Sequence, residues 1–164
     1  MRVPVTNRVG TENDGWRVTQ VTFAFERGSS FVSELVEARR ILDAVAGLVP
    51  EGVPDRRELG RVAAELDALW AMTKRNVSQA AAGTSGDGAL MIKLGYSEAR
   101  QRLGDLCMRA IGRGVLDIGG AEAGEMVEER LRTLNLTIAA GTSQIQRNII
   151  GERVLGLPRE PRPA

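Results

Sequence analysis

Hydroxyl and amide side chains are concentrated in one stretch near the C-terminal end of the chain, from Thr142 to Gln146. Thr142 and Ser143 supply capping hydroxyls, and Ser143-x-x-Gln146 fits the capping box, in which a hydroxyl and an amide each bond an otherwise unpaired backbone N–H. A short amphipathic helix is predicted behind this cap. Its apolar residues are Ile145, Ile149 and Ile150. The N-terminus of such a helix can hold an anion or the polar edge of a cofactor, although the same pattern also fits an ordinary helix cap without a ligand.

The composition excludes several kinds of chemistry. The chain of 164 residues contains no histidine, which excludes histidine triads, histidine metal sites and histidine acid–base catalysis. Its single cysteine, Cys107, excludes an internal disulfide, suits a reducing cytoplasm and is expected to be a small core residue rather than a nucleophile. The 22 basic and 21 acidic residues nearly cancel, so charge does not favour nucleic acid or an acidic membrane as a partner. No apolar run approaches the roughly 20 residues that span a bilayer.

Two blocks of sequence resemble the acyl-CoA dehydrogenase family. Gly141-Thr-Ser-Gln-Ile-Gln-Arg147 and the following Ile149-Ile-Gly-Glu-Arg-Val-Leu-Gly156 are similar to the C-terminal signature of that family. Near the other end, Arg2-Val-Pro-Val-Thr-Asn-Arg-Val-Gly10, Glu12-Asn-Asp-Gly-Trp16 and Phe23-Ala-Phe-Glu-Arg-Gly28 are similar to its last β-domain strand, a Gly-Trp turn and the start of its first C-terminal helix. The blocks occur in the family's order and span nearly the whole chain. We expect the family's N-terminal domain and most of its middle β-domain to be absent.

The resemblance implies FAD-dependent α,β-dehydrogenation of an acyl-CoA thioester. The flavin would take hydride from the β carbon while a buried carboxylate, its pKa raised by burial, takes the α proton. Many members place that glutamate immediately before the Gly-Thr of the signature, where this chain has Ala140. A minority place it in a Glu-Arg pair on the first C-terminal helix, which corresponds to Glu26-Arg27. The resemblance therefore implies Glu26 as the base; the alternative is an exposed glutamate that pairs with a neighbouring cation.

The resemblance also implies which residues contact the flavin. Gly141 would let the backbone approach the cofactor closely. The family's Gln-x-x-Gly-Gly-x-Gly turn is replaced by Arg109-Ala-Ile-Gly-Arg-Gly-Val115, in which Arg113 is a candidate contact to a pyrophosphate, although glycine-rich breaks between helices are more often only turns. Three further residues match the family's cofactor segment: Thr142, Ser143 and Gln144.

The rest of the sequence predicts the elements that hold these residues. Residues 1–16 are predicted to be an extended segment and turn, with a strand favoured by Pro4 and by the alternation of three valines. These valines are Val3, Val5 and Val9. One apolar stripe then runs at helical spacing from Val18 to Val45, and further helical stretches follow. The helices are separated by breaks near 50–54, 80–88 and 112–120.

The predicted fold is all-α: an antiparallel four-helix bundle with a short C-terminal helix, preceded by a short extended segment. The predicted domains are a remnant of a β-domain strand and turn (1–16), a helical bundle (17–157) and a flexible tail (158–164). A bundle without its other domains exposes apolar faces, so we expect a homo-oligomer or a hetero-oligomer with a dehydrogenase subunit.

Several functions are compatible with these observations. The chain is part of an FAD-dependent acyl-CoA dehydrogenase, or a non-catalytic helical subunit that assembles with a full-length dehydrogenase, or an inactive truncated relic. The expected partners are an acyl-CoA substrate and another subunit, with no nucleic acid, no membrane span and no metal, and the expected location is the cytoplasm.

Overall fold

The computed structural model of the chain describes residues 2–26, 31–49, 51, 54–84, 88–117 and 119–159, and these residues form six α-helices. The helices are α1 (Gly15–Glu26), α2 (Phe31–Leu48), α3 (Pro54–Ala81), α4 (Gly88–Ile111), α5 (Ala121–Leu136) and α6 (Ser143–Arg153). These residues contain no strand, and the predicted all-helical bundle with a short C-terminal helix is confirmed. None of the helices in this part of the chain is both long and apolar enough to cross a membrane.

The N-terminal segment does not form the predicted strand. Val5–Asn7 instead make one 3₁₀ turn between Pro4 and Arg8, which both have extended ψ angles. A strand needs a neighbour that pairs with its backbone, and no strand is present among the described residues to do so. The valines at positions 3, 5 and 9 consequently remain exposed.

The apolar stripe predicted from Val18 to Val45 is divided between two helices. α2 buries most of its share of the stripe, although Val32 and Val36 are exposed, whereas α1 packs against none of the other described helices. The buried residues of α2 are Leu35, Ala38, Ile41, Leu42 and Val45. In α1, Trp16 is 73% exposed and Val21 is 50% exposed. The segment between the two helices, 27–30, lies outside the described residues.

α4 is the central helix of the bundle. It packs against α2, α3, α5 and α6, and α2 also packs against α3. Apolar residues that recur at helical spacing lie on one face of α4, and this face packs into the core. The most deeply buried apolar residues of α4 are Ile92, Tyr96, Ala99, Leu103, Leu106 and Cys107. Because α5 and α6 both rest on α4, the position of the connection between them is set by this helix.

Cys107 is a core residue, as predicted. It is 1% exposed, and burial raises the pKa of its thiol to about 11. A thiol that stays protonated at neutral pH is a poor nucleophile and a poor metal ligand.

Polar contacts between helices fix the orientation of α4. Arg100 is 4% exposed and forms an ion pair with Glu129 of α5. The Tyr96 hydroxyl donates a 2.6 Å hydrogen bond to Oε2 of Glu34 in α2. Burial raises the pKa of Tyr96 well above its usual value, so the phenol remains a donor at physiological pH.

Gly104 allows α4 and α5 to approach closely. A Cβ atom at this position would lie 2.6 Å from Cδ of Arg130 and 3.3 Å from Oγ1 of Thr133. The Arg130 side chain cannot yield freely, since it is held by Asp105 at 2.7 Å and by Thr133 at 3.1 Å. Gly104→Ala should therefore lower the free energy of unfolding, because overpacking of roughly 1–3 kcal/mol exceeds the about 1 kcal/mol that alanine gains over glycine in a helix.

Gly60→Ala is the matched control for that substitution. Gly60 is an exposed residue of α3, and a Cβ there would meet nothing within 4 Å. This variant should gain roughly 0.5–1 kcal/mol from helix propensity alone. Urea denaturation of both variants checks the pair, and equal gains at the two positions would show that α4 and α5 are not in close contact at Gly104.

Candidate functional site

The connection between α5 and α6 carries the residues predicted to contact a cofactor. It runs from Thr137 to Thr142 and is closed by a 2.9 Å hydrogen bond from the Ser143 N–H to the Thr137 carbonyl. Ala140 has φ +54° and Gly141 has φ +99°, so two successive residues adopt left-handed or related conformations. Glycine does so readily, whereas such a conformation costs a residue with a Cβ roughly 1–2 kcal/mol. The chain thus maintains a strained turn directly before α6. We call Thr137–Thr142 the α5–α6 turn.

Thr142, not Ser143, caps α6, so the predicted capping box is wrong. The Thr142 hydroxyl accepts a 3.2 Å hydrogen bond from the Ile145 N–H. Ser143 is the first residue of the helix, and its N–H is already bonded within the turn. The Gln146 amide reaches back to the Ala140 carbonyl, at 3.0 Å, rather than to the cap. Because Gly141 has a positive φ, the chain turns into α6 directly after it, and the helix cap is Thr142, one residue earlier than the capping-box pattern predicts.

The first turn of α6 buries polar side chains instead of the predicted apolar face. Ser143 is 5% exposed and Gln146 is completely buried, whereas Ile145 is 51% exposed. Within the described residues, Ser143 Oγ and Gln146 Oε1 have no hydrogen-bond partner. Buried polar atoms without partners are unfavourable, and two of them lie together beneath the α5–α6 turn.

A lysine that the sequence interpretation missed lies beneath the same turn. Lys93 of α4 is 3% exposed, and its Nζ donates to the Leu136 carbonyl at 3.1 Å and to the Gly141 carbonyl at 2.7 Å. The last carbonyls of a helix lack intrahelical donors, and a cation is favourable at that end of the helix. The sequence did contain a signal for this role: Lys93 is a lone lysine among apolar residues of a predicted core helix. A lysine that is buried in such a helix must find hydrogen-bond partners.

An open groove of about 500 Å³ lies beside the α5–α6 turn. Thr142, Ser143 and Gln144 line one wall. The facing wall belongs to α4 and includes Gln101, whose amide donates to the Thr137 hydroxyl at 3.1 Å, and Arg102, which is paired with Glu65 at 2.7 Å. The structure therefore brings the predicted residues of the signature together at one accessible surface. We call this surface the signature groove.

The other three predicted site residues, Gly141, Arg113 and Glu26, do not line the signature groove. Arg113 is exposed in the 3₁₀ turn Gly112–Leu116 behind α4. The end of α4 is about 9 Å along the helix axis from Asp105, the groove-lining residue of α4 nearest to that end, at 1.5 Å per residue. Glu26 is the last residue of α1, and its side chain lies outside the described part of the structure. Their roles remain predictions.

The position of the cap can be tested with two neighbouring substitutions. Thr142→Ala removes the acceptor for the Ile145 N–H and should lower the free energy of unfolding by about 1 kcal/mol. Ser143→Ala removes a buried hydroxyl that has no partner, so stability should stay unchanged or rise. Chemical denaturation of the two variants decides between the cap positions, and a larger loss for Ser143→Ala would restore the original capping box.

Comparison with known proteins places these features in a family. The family model described as acyl-CoA dehydrogenase, C-terminal domain, matches residues 13–155. Acyl-CoA dehydrogenase IpdE1 of Mycobacterium tuberculosis is 35% identical over 157 residues, which cover 93% of this chain and 40% of that protein. Acyl-CoA dehydrogenase FadE34 of the same organism is 32% identical over 167 residues, which cover 96% of this chain and 22% of that protein.

A solved structure shows the same fold. The structure of the glutaryl-coenzyme A dehydrogenase glutaryl-CoA complex matches 98% of this chain and 42% of its own chain, with a TM-score of 0.73 and 20% identity. The chain thus spans about two fifths or less of the length of these three proteins. The resemblance in its terminal blocks is confirmed over nearly its full length, and the chain belongs to the acyl-CoA dehydrogenase family as a C-terminal helical domain.

Proposed function

We propose that the chain supplies one wall of a flavin site, and that the complete site carries out FAD-dependent α,β-dehydrogenation of an acyl-CoA thioester. The observation that carries this proposal is the signature groove, in which Thr142, Ser143 and Gln144 lie together at the N-terminus of α6. The family membership supplies the reaction class. The groove supplies the place at which this chain would meet the cofactor.

The residues of the groove fit the polar edge of a flavin cofactor. The N-terminus of a helix favours an electronegative ligand, and Gln144 lines the groove with an exposed side chain in the first turn of α6. Ser143 Oγ adds a hydroxyl without a partner. When bound, FAD would accept hydride from the β carbon of the substrate, while these residues hold its polar edge.

The α proton needs a separate acceptor. Ala140 occupies the position that many relatives use for the base, and alanine cannot accept a proton. Glu26 matches the alternative position of the family, so we assign the proton transfer to its carboxylate. The family pattern supports this assignment.

The proposal can be tested by rebuilding the complete site. We would compare this chain alone with the same chain fused behind the remaining domains of the M. tuberculosis relative IpdE1. The fusion should retain FAD through gel filtration, whereas the chain alone should lose it, because the signature groove is open and provides only one wall. A folded but colourless fusion would refute the flavin site. Stoichiometric flavin on the chain alone would refute the claim that this chain provides only one wall of the FAD site.

A second candidate function is a non-catalytic subunit that assembles with a full-length dehydrogenase. Four large apolar side chains on α5, the α5–α6 turn and α6 favour it, since exposed apolar patches mark interaction surfaces. They are Leu131 (61% exposed), Leu134 (47%), Ile138 (67%) and Ile145 (51%). Sedimentation of the chain with and without such a partner distinguishes the candidates: a flavin-free complex favours the subunit, and a clean monomer under both conditions excludes assembly through this face.

A further inference from the structure

The geometry points to Lys93 as the residue that positions the α5–α6 turn for cofactor binding. This inference rests on the proposed function, because it assigns a role at the same site. Lys93 does not line the signature groove; it lies behind the turn, 3% exposed, in the middle of the α4–α5–α6 contact. It would therefore act through the backbone and not by touching the cofactor.

Lys93 ties together the two ends of the turn. Its Nζ lies 3.1 Å from the carbonyl oxygen of Leu136, the last residue of α5, and 2.7 Å from that of Gly141, just before the cap of α6. One ammonium group thus fixes the end of one helix relative to the start of the next. A neutral side chain of similar length would leave both carbonyls without this donor.

The same contact sets the direction of a peptide group. In a planar trans peptide the C=O and the following N–H point in opposite directions. The Gly141 carbonyl points inward to Lys93, so the Thr142 N–H must point away from the lysine. The Ala140 carbonyl is likewise held by the Gln146 amide at 3.0 Å, which sets the direction of the Gly141 N–H. Lys93 and Gln146 together thus fix the directions of two consecutive peptide groups of the turn, directly before the groove-lining residues.

The first readout is amide hydrogen exchange of the full chain. Lys93→Met should raise the exchange rate of peptides that cover 137–146 by at least about tenfold over wild type. In wild type, local opening of the turn must break the two hydrogen bonds from Lys93; in the variant these bonds are absent, so the turn opens more often. Lys93→Arg, which retains a cation and several donors, should restore part of the protection. If Lys93→Met does not fold, Lys93→Gln, which keeps an amide donor, replaces it in the same measurement.

Arg56→Met is the matched control. Arg56 Nη1 donates to the carbonyls of Ala46 at 2.8 Å and Val49 at 3.1 Å, so it makes the same kind of two-carbonyl contact at the end of α2. This variant should affect exchange near α2 and leave 137–146 as in wild type. A uniform change across the chain in both variants would show that Lys93 has only a general structural role.

The second readout is the affinity for FAD of the fusion that contains the complete site. Lys93→Met should weaken FAD binding at least about tenfold, and Arg56→Met should leave it unchanged. Wild-type turn exchange and wild-type FAD affinity in Lys93→Met would overturn the inference. If the wild-type fusion binds no FAD, the proposed function fails, while the exchange measurement still decides whether Lys93 holds the turn.

Discussion

Glu26→Gln is expected to abolish α-proton abstraction in an assembly that contains the complete flavin site. The amide retains the shape of the glutamate but cannot accept a proton, and loss of a general base typically lowers a rate by roughly 10²–10⁴-fold. FAD binding and folding should be unaffected. The measurement is the rate at which an acyl-CoA bleaches the flavin absorbance under anaerobic conditions. Bleaching at the wild-type rate would remove Glu26 from the mechanism and would leave this chain as a non-catalytic subunit.

Ala140→Glu is the companion to that experiment. Ala140 already carries a Cβ at φ +54°, so a glutamate there adds no new backbone strain. Its carbonyl would keep the bond from Gln146, which holds the turn in place. In the Glu26→Gln background, Ala140→Glu should recover part of the bleaching rate. Recovery would show that the turn presents position 140 toward the reacting carbon even though this chain has no base there.

Glu129→Leu should produce the largest loss of stability that we predict, about 3–5 kcal/mol in the free energy of unfolding. The substitution leaves the guanidinium of Arg100 buried without its carboxylate. Arg100 also has an Nε without a hydrogen-bond partner within the described residues. Equilibrium urea denaturation measures the loss. The double variant Arg100→Met with Glu129→Leu should recover most of it, since an apolar pair can replace a buried ion pair.

Glu128→Leu provides the control on the same helix. Glu128 pairs with Arg132 at 2.6 Å, but the two side chains are 65% and 70% exposed. Exposed pairs contribute at most about 1 kcal/mol, so this variant should remain close to wild type. Equal losses for Glu128→Leu and Glu129→Leu would mean that the Arg100–Glu129 pair is not buried in solution.

The helical architecture was predictable because its causes are local. The predicted breaks near 80–88 and 112–120 separate α3 from α4 and α4 from α5. Apolar residues at a period of 3.6 and clusters of glycine and proline suffice for such assignments. The N-terminal strand could not be judged in this way, because a strand depends on a pairing partner that local sequence does not provide.

The interior of the site was not predictable from local sequence. Lys93 meets carbonyls that are 43 and 48 residues away along the chain, so its partners exist only after α4, α5 and α6 have packed. The buried Gln146 is satisfied by a carbonyl that a left-handed turn brings within reach. The signature itself identified the groove residues, but their support comes from tertiary contacts.

The affinity for FAD of the reconstituted assembly, compared between wild type and Gln144→Ala, tests the central claim most directly. Gln144 lines the signature groove and has an exposed side chain, so its removal should change contact with the cofactor and not the fold. Arg153→Ala, at the exposed far end of α6, is the control. We predict that Gln144→Ala weakens FAD binding at least about tenfold while Arg153→Ala leaves it unchanged. Equal affinity in all three proteins would contradict the assignment of the signature groove as a wall of the flavin site.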